Sequence, residues 1–471
     1  MTRSLRNKFF GDRAFYKMAL AVAVPIMIQN GITQLVGMLD NIMVGRVGTE
    51  QMTGVSIANT LIFVFSLAIF GAVSGAGIFG AQFYGKGDHE GVRHAFRFKI
   101  LLGAVLLALG VGVFLLFGDR LILLYLKGEG TPEQIEASLG YAREYLHIML
   151  LSFLPFILTQ CYSGTLRECG QTVVPMVAGV VSVLVNLALN TVLIFGYLGM
   201  PRLESAGAAV ATVVARYVEM GVVMLWTHTH RQEQPFIRGA YRSLHIPAKL
   251  FVAIAKKSLP LLVNEGLWAG GMALLSQCYS LRGYDVVSAH NISNTVANVF
   301  NVAFLAMGSA IGIIVGQLLG ADRLEEAKDT DRKLIVFAVL ICGIFGSAMA
   351  AVSGVFPNIY KTTGEIRDLA SSFILIAAVC MPINSLANAC YFTLRSGGKT
   401  FVTFLFDSFY VCLLTVPLAY CLSRFTDMPI VTMFLVCQLI DIGKCIVGLI
   451  MIKRGVWIQN IVKEKKYEQE V

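Results

Sequence analysis

The feature that most constrains this chain is a series of apolar runs too long for the core helices of a water-soluble protein. Met18 to Gly37, Leu101 to Gly118, Val173 to Phe195, Leu334 to Phe356 and Ile430 to Ile452 are examples. Each approaches or exceeds the ~20 residues that carry a helix across a ~30 Å hydrocarbon layer. In lipid, every backbone N–H and C=O must find a partner within the chain, so such runs are read as helices. Only 14% of the residues are charged and 56% are hydrophobic, whereas soluble domains carry about 25% charged residues. The ten cysteines fall mostly within apolar runs, without CxxC spacing, and read as small buried hydrophobes.

Reading the runs as spans gives twelve, at about 14–43, 53–80, 94–118, 143–166, 173–196, 205–228, 250–278, 288–317, 333–356, 369–394, 401–423 and 428–452. The net charge of +9 is then topological rather than a sign of nucleic-acid binding. With both termini cytoplasmic, most basic residues lie inside: Arg3, Arg6, Lys8, Arg13 and Lys17 in the N-terminal tail, and Lys463, Lys465 and Lys466 at the other end. Inner loops take Lys86, Arg93, Arg97 and Lys99, then Arg231 to Lys257, then Arg323, Lys328, Arg332 and Lys333. Residues 18 to 37 follow a basic region but are too long an apolar stretch for a cleaved leader.

The chain also repeats itself. At an offset of 235, Gly48–Glu90 matches Gly283–Glu325 without gaps, with 13 identities in 43 positions. Asn59/Asn294, Phe65/Phe300, Gly77/Gly312, Gln82/Gln317 and Gly85/Gly320 are among them, and the same offset pairs Pro25 with Pro260. A second match, at 228, pairs Thr165-Leu166-Arg167 with Thr393-Leu394-Arg395 and Gly170 with Gly398. Six spans separate equivalent points, so the two copies share one orientation, as in transporters that rock two bundles about a central site. The expected organisation is an N-lobe over residues 1–228, a basic linker over 229–249 and a C-lobe over 250–471.

The stretch "PIMIQNGITQLVGMLDNIMVGRVG", with Pro25, Asp40, Gly45 and Gly48, resembles the first helix of multidrug and toxic compound extrusion (MATE) transporters. "GAQFYGKGD", "GQLLGADRLEEA", "TLRECGQT" and "LRSGGKT" are similar to that family's cytoplasmic connections. The order and spacing of these segments over nearly the whole chain make the resemblance specific. It implies an all-α polytopic membrane protein of twelve transmembrane helices in two pseudo-symmetric six-helix bundles, MATE-like within the wider MOP superfamily. It implies an efflux antiporter, not an enzyme, exporting small organic compounds, often cationic, by alternating access from the cytoplasmic membrane. The coupling ion would be Na⁺ or H⁺, with no cofactor and a monomeric chain in the bilayer.

Ionisable groups inside spans are costly unless they face a partner or a wet cavity. Asp40, Arg216, Glu219, Glu265, Asp407, Asp441 and Lys444 qualify. Asp40 has no basic residue one turn away, so it either binds a cation or holds a proton. The resemblance implies an ion-coupling set of Asp40, Asn186, Asn190 and Thr212. Asn186 and Asn190, four residues apart, share one helix face, and packing glue between helices is the alternative for them. Glu265, five residues after Pro260, is the candidate acid for cationic substrate, with Asp407 assisting if it faces the same cavity. Relative to the family's Na⁺-coupled branch, Ile383 and Asn384 after Pro382 leave one acid missing. Pro25 removes one backbone hydrogen bond and lets span 1 bend.

Arg216/Glu219 and Asp441/Lys444 are opposite charges at i,i+3, read as structural pairs. Tyr279, Phe300, Phe304 and Tyr391 either line an aromatic cavity or pack. No Walker A motif is present, and "GAVSGAG" lacks the strand–turn–helix context of a nucleophile elbow. A flippase for lipid-linked sugars or peptidoglycan precursors is the main alternative. It would want a strongly basic cavity, and only Arg216 and Lys444 are read as basic within spans.

Overall fold

The computed structural model describes residues 8–45, 48–126, 131–360 and 362–463; Arg3, Arg6, Lys465 and Lys466 lie outside them. The described residues form helices and turns, with no strand among them. We number the helices α1 (Arg13–Gly45), α2 (Thr49–Lys86), α3 (His89–Leu126), α4 (Pro132–Leu150), α5 (Phe153–Glu168), α6 (Val173–Phe195) and α7 (Glu204–Thr229). The second half continues with α8 (Ala248–Ser280), α9 (Tyr284–Gly320), α10 (Leu324–Val352), α11 (Gly364–Ser396), α12 (Thr400–Phe425), α13 (Ile430–Leu439) and α14 (Asp441–Lys453).

Among the described residues, ten helical segments are long and apolar enough to cross a membrane, and eleven if the bent pair α4–α5 counts as one. The chain is a multi-pass membrane protein. The expected seventh span is the 33-residue α8, about 50 Å long at 1.5 Å per residue. Lys256, Lys257, Asn264 and Glu265 make it too polar to qualify by apolarity, so the count falls short of the expected twelve.

The expected fourth span, 143–166, is also revised. Helix starts earlier, at Pro132, where Thr131 and Gln134 form a capping box. It breaks at Leu151–Ser152 with a bend of 48°. Pro155 has no N–H for the Leu151 carbonyl, and its ring crowds the preceding turn. In α12, Leu405–Phe409 and Val411–Thr415 are wound as π-helix, a feature often found at functional sites.

The chain divides into two compact units. One comprises residues 1–27, 78–88 and 252–471; the other comprises 28–77 and 89–251. The first boundary falls two residues after Pro25, inside α1. Within the unit holding the C-terminal half, Ala19, Val22, Ala23 and Ile26 of α1 join a buried cluster with Ala306, Met307, Ala310 and Ile314 of α9. Ala19, Ala23, Ala306 and Ala310 of that cluster are small, which lets helix backbones approach closely.

The same unit contains a reciprocal contact between the two copies of the repeat. A Cβ placed on Gly85 would fall 1.9 Å from the Gln317 carbonyl oxygen, and one on Gly320 would fall 1.9 Å from that of Gln82. Only glycine allows two backbones to touch in this way. The Gln82 side chain holds the C-terminal segment against this crossing. Its Nε2 donates to the carbonyls of Ser396 (2.9 Å) and Gln459 (3.2 Å), and its Oε1 accepts from the Ile461 N–H (2.9 Å).

In the other unit, the segment between α7 and α8 is tied down by arginines of α3. Arg97 donates to the carbonyls of Gly239, Ala240 and His245, and Arg93 to those of Pro235 and Phe236. Lys99, expected in an inner-loop cluster, lies on α3 with its side chain fully buried. Its Nζ donates to Glu168 (2.6 and 2.7 Å) and to Thr165 Oγ1 (2.9 Å). Buried charges persist where they are paired and hydrogen-bonded, and this group is both.

Candidate functional site

The four residues proposed for ion coupling meet in the unit formed by residues 28–77 and 89–251. Asp40 lies on α1 and is half-buried; Asn186 and Asn190 lie on α6 and are buried; Thr212 lies on α7. Asn190 Nδ2 donates to Asp40 Oδ1 at 2.6 Å and to Asn186 Oδ1 at 3.1 Å. Asn186 Nδ2 donates onward to Thr212 Oγ1 at 3.2 Å, whose hydroxyl donates to the Ala208 carbonyl at 2.9 Å. A continuous chain of hydrogen bonds therefore runs from one carboxylate through two amides to a hydroxyl, across three helices.

Sequence explains why these elements converge. The i,i+4 spacing puts both asparagines on one face of α6. Gly207 of α7 lies against Leu193 of α6, where a Cβ would fall 2.8 Å from the Leu193 backbone, so α6 and α7 pack in near contact. Ser182 Oγ donates to the Ala215 carbonyl at 2.9 Å and ties the same two helices one region further along.

The chain leaves one atom over. Both amide hydrogens of Asn190 are engaged, while its Oδ1 is buried with no hydrogen-bond partner. A buried oxygen without a donor is costly, of order 1–3 kcal/mol, unless something supplies positive charge or a proton. The same Asn190 amide touches the Asp40 carboxylate and the Asn186 carbonyl, and the Thr212 hydroxyl follows one bond further along, all hard oxygen ligands. The hydrogen-bonded chain itself offers a cation one carboxylate and neutral oxygens.

The second acidic centre lies in the other unit. Asp407, on the π-wound part of α12, accepts from Lys444 Nζ of α14 at 3.0 Å through Oδ1 and from Asn264 Nδ2 of α8 at 3.2 Å through Oδ2. Ser408 Oγ sits 2.6 and 2.7 Å from the main-chain and side-chain oxygens of Asn264, which locks α8 to α12. Glu265, the next residue on α8, is half-buried and feels the charges of Arg395 and Asp407. The two acids named from sequence are thus neighbours through Asn264. They differ in circumstance, because Asp407 has an ammonium partner.

That partner corrects an expectation. Lys444 reaches Asp407 rather than Asp441, its i,i+3 neighbour. The helix breaks at Ile440, and Tyr410 Oη donates to the Ile440 carbonyl at 2.8 Å, which sets Asp441 in the first turn of a new segment. The Arg216/Glu219 pair is present at 3.5 Å, with the guanidinium 4.9 Å from the centre of the Phe156 ring. The four aromatics take the packing alternative, with Phe304 set against buried Ala303, Cys342 and Met381. Tyr279 packs with Phe434 and His290, and Phe300 with Phe345. Tyr391 lies beneath the Arg395 guanidinium.

Long apolar helices, an oxygen-lined acidic site in one unit and a compensated acidic cluster in the other define a polytopic helical protein of the transporter class. The chain belongs to the MatE family, whose model matches residues 25–192 and again 261–421, once in each half. The probable multidrug resistance protein YoeA of Bacillus subtilis is 27% identical over 416 residues, covering 86% of this chain and 87% of that protein. The probable multidrug resistance protein NorM of Thermotoga maritima is 22% identical over 465 residues, covering 97% and 96%. Among solved structures, an outward-facing multidrug resistance MATE family transporter of the MOP superfamily superposes with a TM-score of 0.83 at 18% identity, over 96% of this chain and 99% of that one. A MATE in complex with MaL6 also gives 0.83, at 17% identity over 97% and 99%. These likenesses establish the fold.

Proposed function

We propose that this protein is a secondary active antiporter that exports organic, often cationic, compounds in exchange for Na⁺ or H⁺ by alternating access. In this reading it works as a monomer in the cytoplasmic membrane, with both termini cytoplasmic and lobes at 1–228 and 250–471 joined by 229–249. The observation that carries the reading is the Asp40–Asn190–Asn186–Thr212 chain with the buried, unpartnered Asn190 Oδ1. The multidrug-resistance names of the relatives point the same way.

The mechanism follows from charge. An inward-moving Na⁺ or proton neutralises Asp40, and Asn190 then gives up its donation to that carboxylate and turns Oδ1 toward the bound Na⁺ or the new acid O–H. Pro25, fifteen residues before Asp40 on the same helix, lacks the N–H that would stiffen α1. Bending there converts the ion's arrival into a change in α1, which releases substrate. On the other side of the exchange, Glu265 is the acid we assign to a cationic substrate. Asp407, held by Lys444, fixes α8 and orients its neighbour.

The flippase alternative finds little support. Its pyrophosphate-binding cavity needs unpaired cations deep within the spans, whereas the basic side chains Lys99, Arg216 and Lys444 each sit against a carboxylate. The names of the relatives do not favour it either. The test is reconstitution with a Na⁺ gradient and a pH gradient imposed separately. Efflux of a fluorescent organic cation driven by one of them is expected; efflux indifferent to both would overturn antiport.

A further inference from the structure

A cavity of about 630 Å³ opens in the unit containing the C-terminal half, and its lining includes none of the residues of the two acidic centres. Its size lies within the ~300–1,000 Å³ usual for ligand pockets. It is lined by Lys256 and Lys257 in the third turn of α8, by Gly398 to Val402 at the start of α12, by Gln459 to Ile461 after α14, and by Phe79 and Ala253. Three lysines thus line one cavity whose lining includes no Asp or Glu. Like charges held together cost free energy unless an anion completes the site.

A second observation points to the same ligand. The helical span Thr400–Phe425 begins inside this cavity, and its N-cap, Lys399, makes no side-chain capping bond. The amide N–H groups of Thr400, Phe401 and Val402 belong to the first turn, where no carbonyl within the helix can receive them. The first backbone donation of the span is from Thr403 to the Lys399 carbonyl. Gly398 precedes them with φ +73°, and a Cβ built on it would come within 3.8 Å of Lys257 Cε, so the lysine stem lies along this turn. Helix-start amides and ammonium groups around one space recognise a phosphate oxygen.

The rim says where that phosphate is carried. Phe401 is 62% exposed and Ala253 and Val402 extend an apolar edge beside the charges. Lys256 and Lys257, in the third turn of α8, and Lys399, the N-cap of α12, lie toward the side that the sequence reads as basic and cytoplasmic. Basic pockets between membrane helices on that side take anionic headgroups. We propose that the cavity bounded by Lys256, Lys257, Lys399 and the first turn of α12 binds a phosphate group, as the headgroup of an anionic phospholipid or as free phosphate.

The test uses the full-length purified protein, stripped of lipid in detergent, with melting temperature as the readout. Phosphatidylglycerol should raise it saturably, whereas phosphatidylcholine should not. In K256Q/K257Q/K399Q the half-saturating phosphatidylglycerol concentration should rise roughly 100-fold, and in the single variant K399Q about fivefold. Lys17→Gln, at an exposed basic position on α1, should leave it unchanged. If inorganic phosphate alone produces the shift and competes with the lipid, free phosphate is the ligand; if only the lipid does, the headgroup is. Equal shifts with phosphatidylcholine, or unchanged phosphatidylglycerol binding in the single variant, would overturn the proposal. The triple variant is not required to fold for the single one to decide.

Discussion

Asn190 Nδ2 donates to Asp40 Oδ1 at 2.6 Å, the bond by which α6 grips the carboxylate of α1. The same nitrogen also serves Asn186, so one amide couples the acid to the rest of the chain. If this bond transmits ion binding, Asn190→Leu removes the link while leaving the acid. A hydrogen bond to a charged group is worth about 1.5–3 kcal/mol. Gradient-driven efflux from proteoliposomes is therefore expected to fall at least about tenfold, with substrate binding nearly intact. Efflux within twofold of the parent would assign Asn190 to helix packing alone.

Lys444 and Asp407 should behave as one unit. Their side chains are 8% and 22% exposed, so truncating either strands a largely buried charge. Lys444→Ala or Asp407→Ala should cost about 3–5 kcal/mol, whereas Lys444→Met with Asp407→Leu should recover most of it. Denaturation in detergent of all three variants reads the difference. Additive losses would mean that the pair does not act as one.

The reciprocal glycines make a sharper claim. A methyl on Gly85 or Gly320 meets a backbone carbonyl, which cannot swing aside as a side chain would. Gly85→Ala and Gly320→Ala should each destabilise the protein by about 1–3 kcal/mol. Because both act on one crossing, the double variant should lose clearly less than the sum. Thermal melts of the two singles and the double measure the coupling, and strict additivity would contradict it.

Outside the spans, Asp322 is held below the usual carboxylate range by a hydrogen bond from Lys463 Nζ at 2.5 Å. A lowered folded-state pKa means that this contact contributes above the unfolded value and is lost as pH falls through the folded one. The pair is exposed, so its effect on global stability should be small. Local release should still be visible: cleavage after Trp457 by an acid-tolerant protease should accelerate as pH drops below the carboxylate range. Asp322→Asn should already show the acid rate at neutral pH.

Much of this was legible in the sequence. Length and apolarity disclosed the spans, and i,i+4 spacing put Asn186 and Asn190 on one face. The paired Gln and Gly of the repeat marked positions that turned out to touch. Lys99 was not legible as a buried residue. It follows Arg93 and Arg97 in a basic run, and only the fold shows Glu168 arriving from another helix to receive it. Lys444 was misread for the same reason. Local spacing offered Asp441, but a break at Ile440 and a π-wound α12 bring in Asp407. The bend between α4 and α5 had visible signals in Thr131–Gln134 and Pro155, but an apolar run read by hydropathy alone passes straight over them.

The most direct measurement is efflux of an organic cation from proteoliposomes carrying Asp40→Asn, under whichever ion gradient drives the parent protein. The substitution keeps the shape of the side chain and removes the charge that takes up Na⁺ or a proton. Efflux should fall at least tenfold, toward that of liposomes without gradient, while equilibrium dye binding changes little. Undiminished gradient-driven efflux would contradict the assignment of coupling to Asp40.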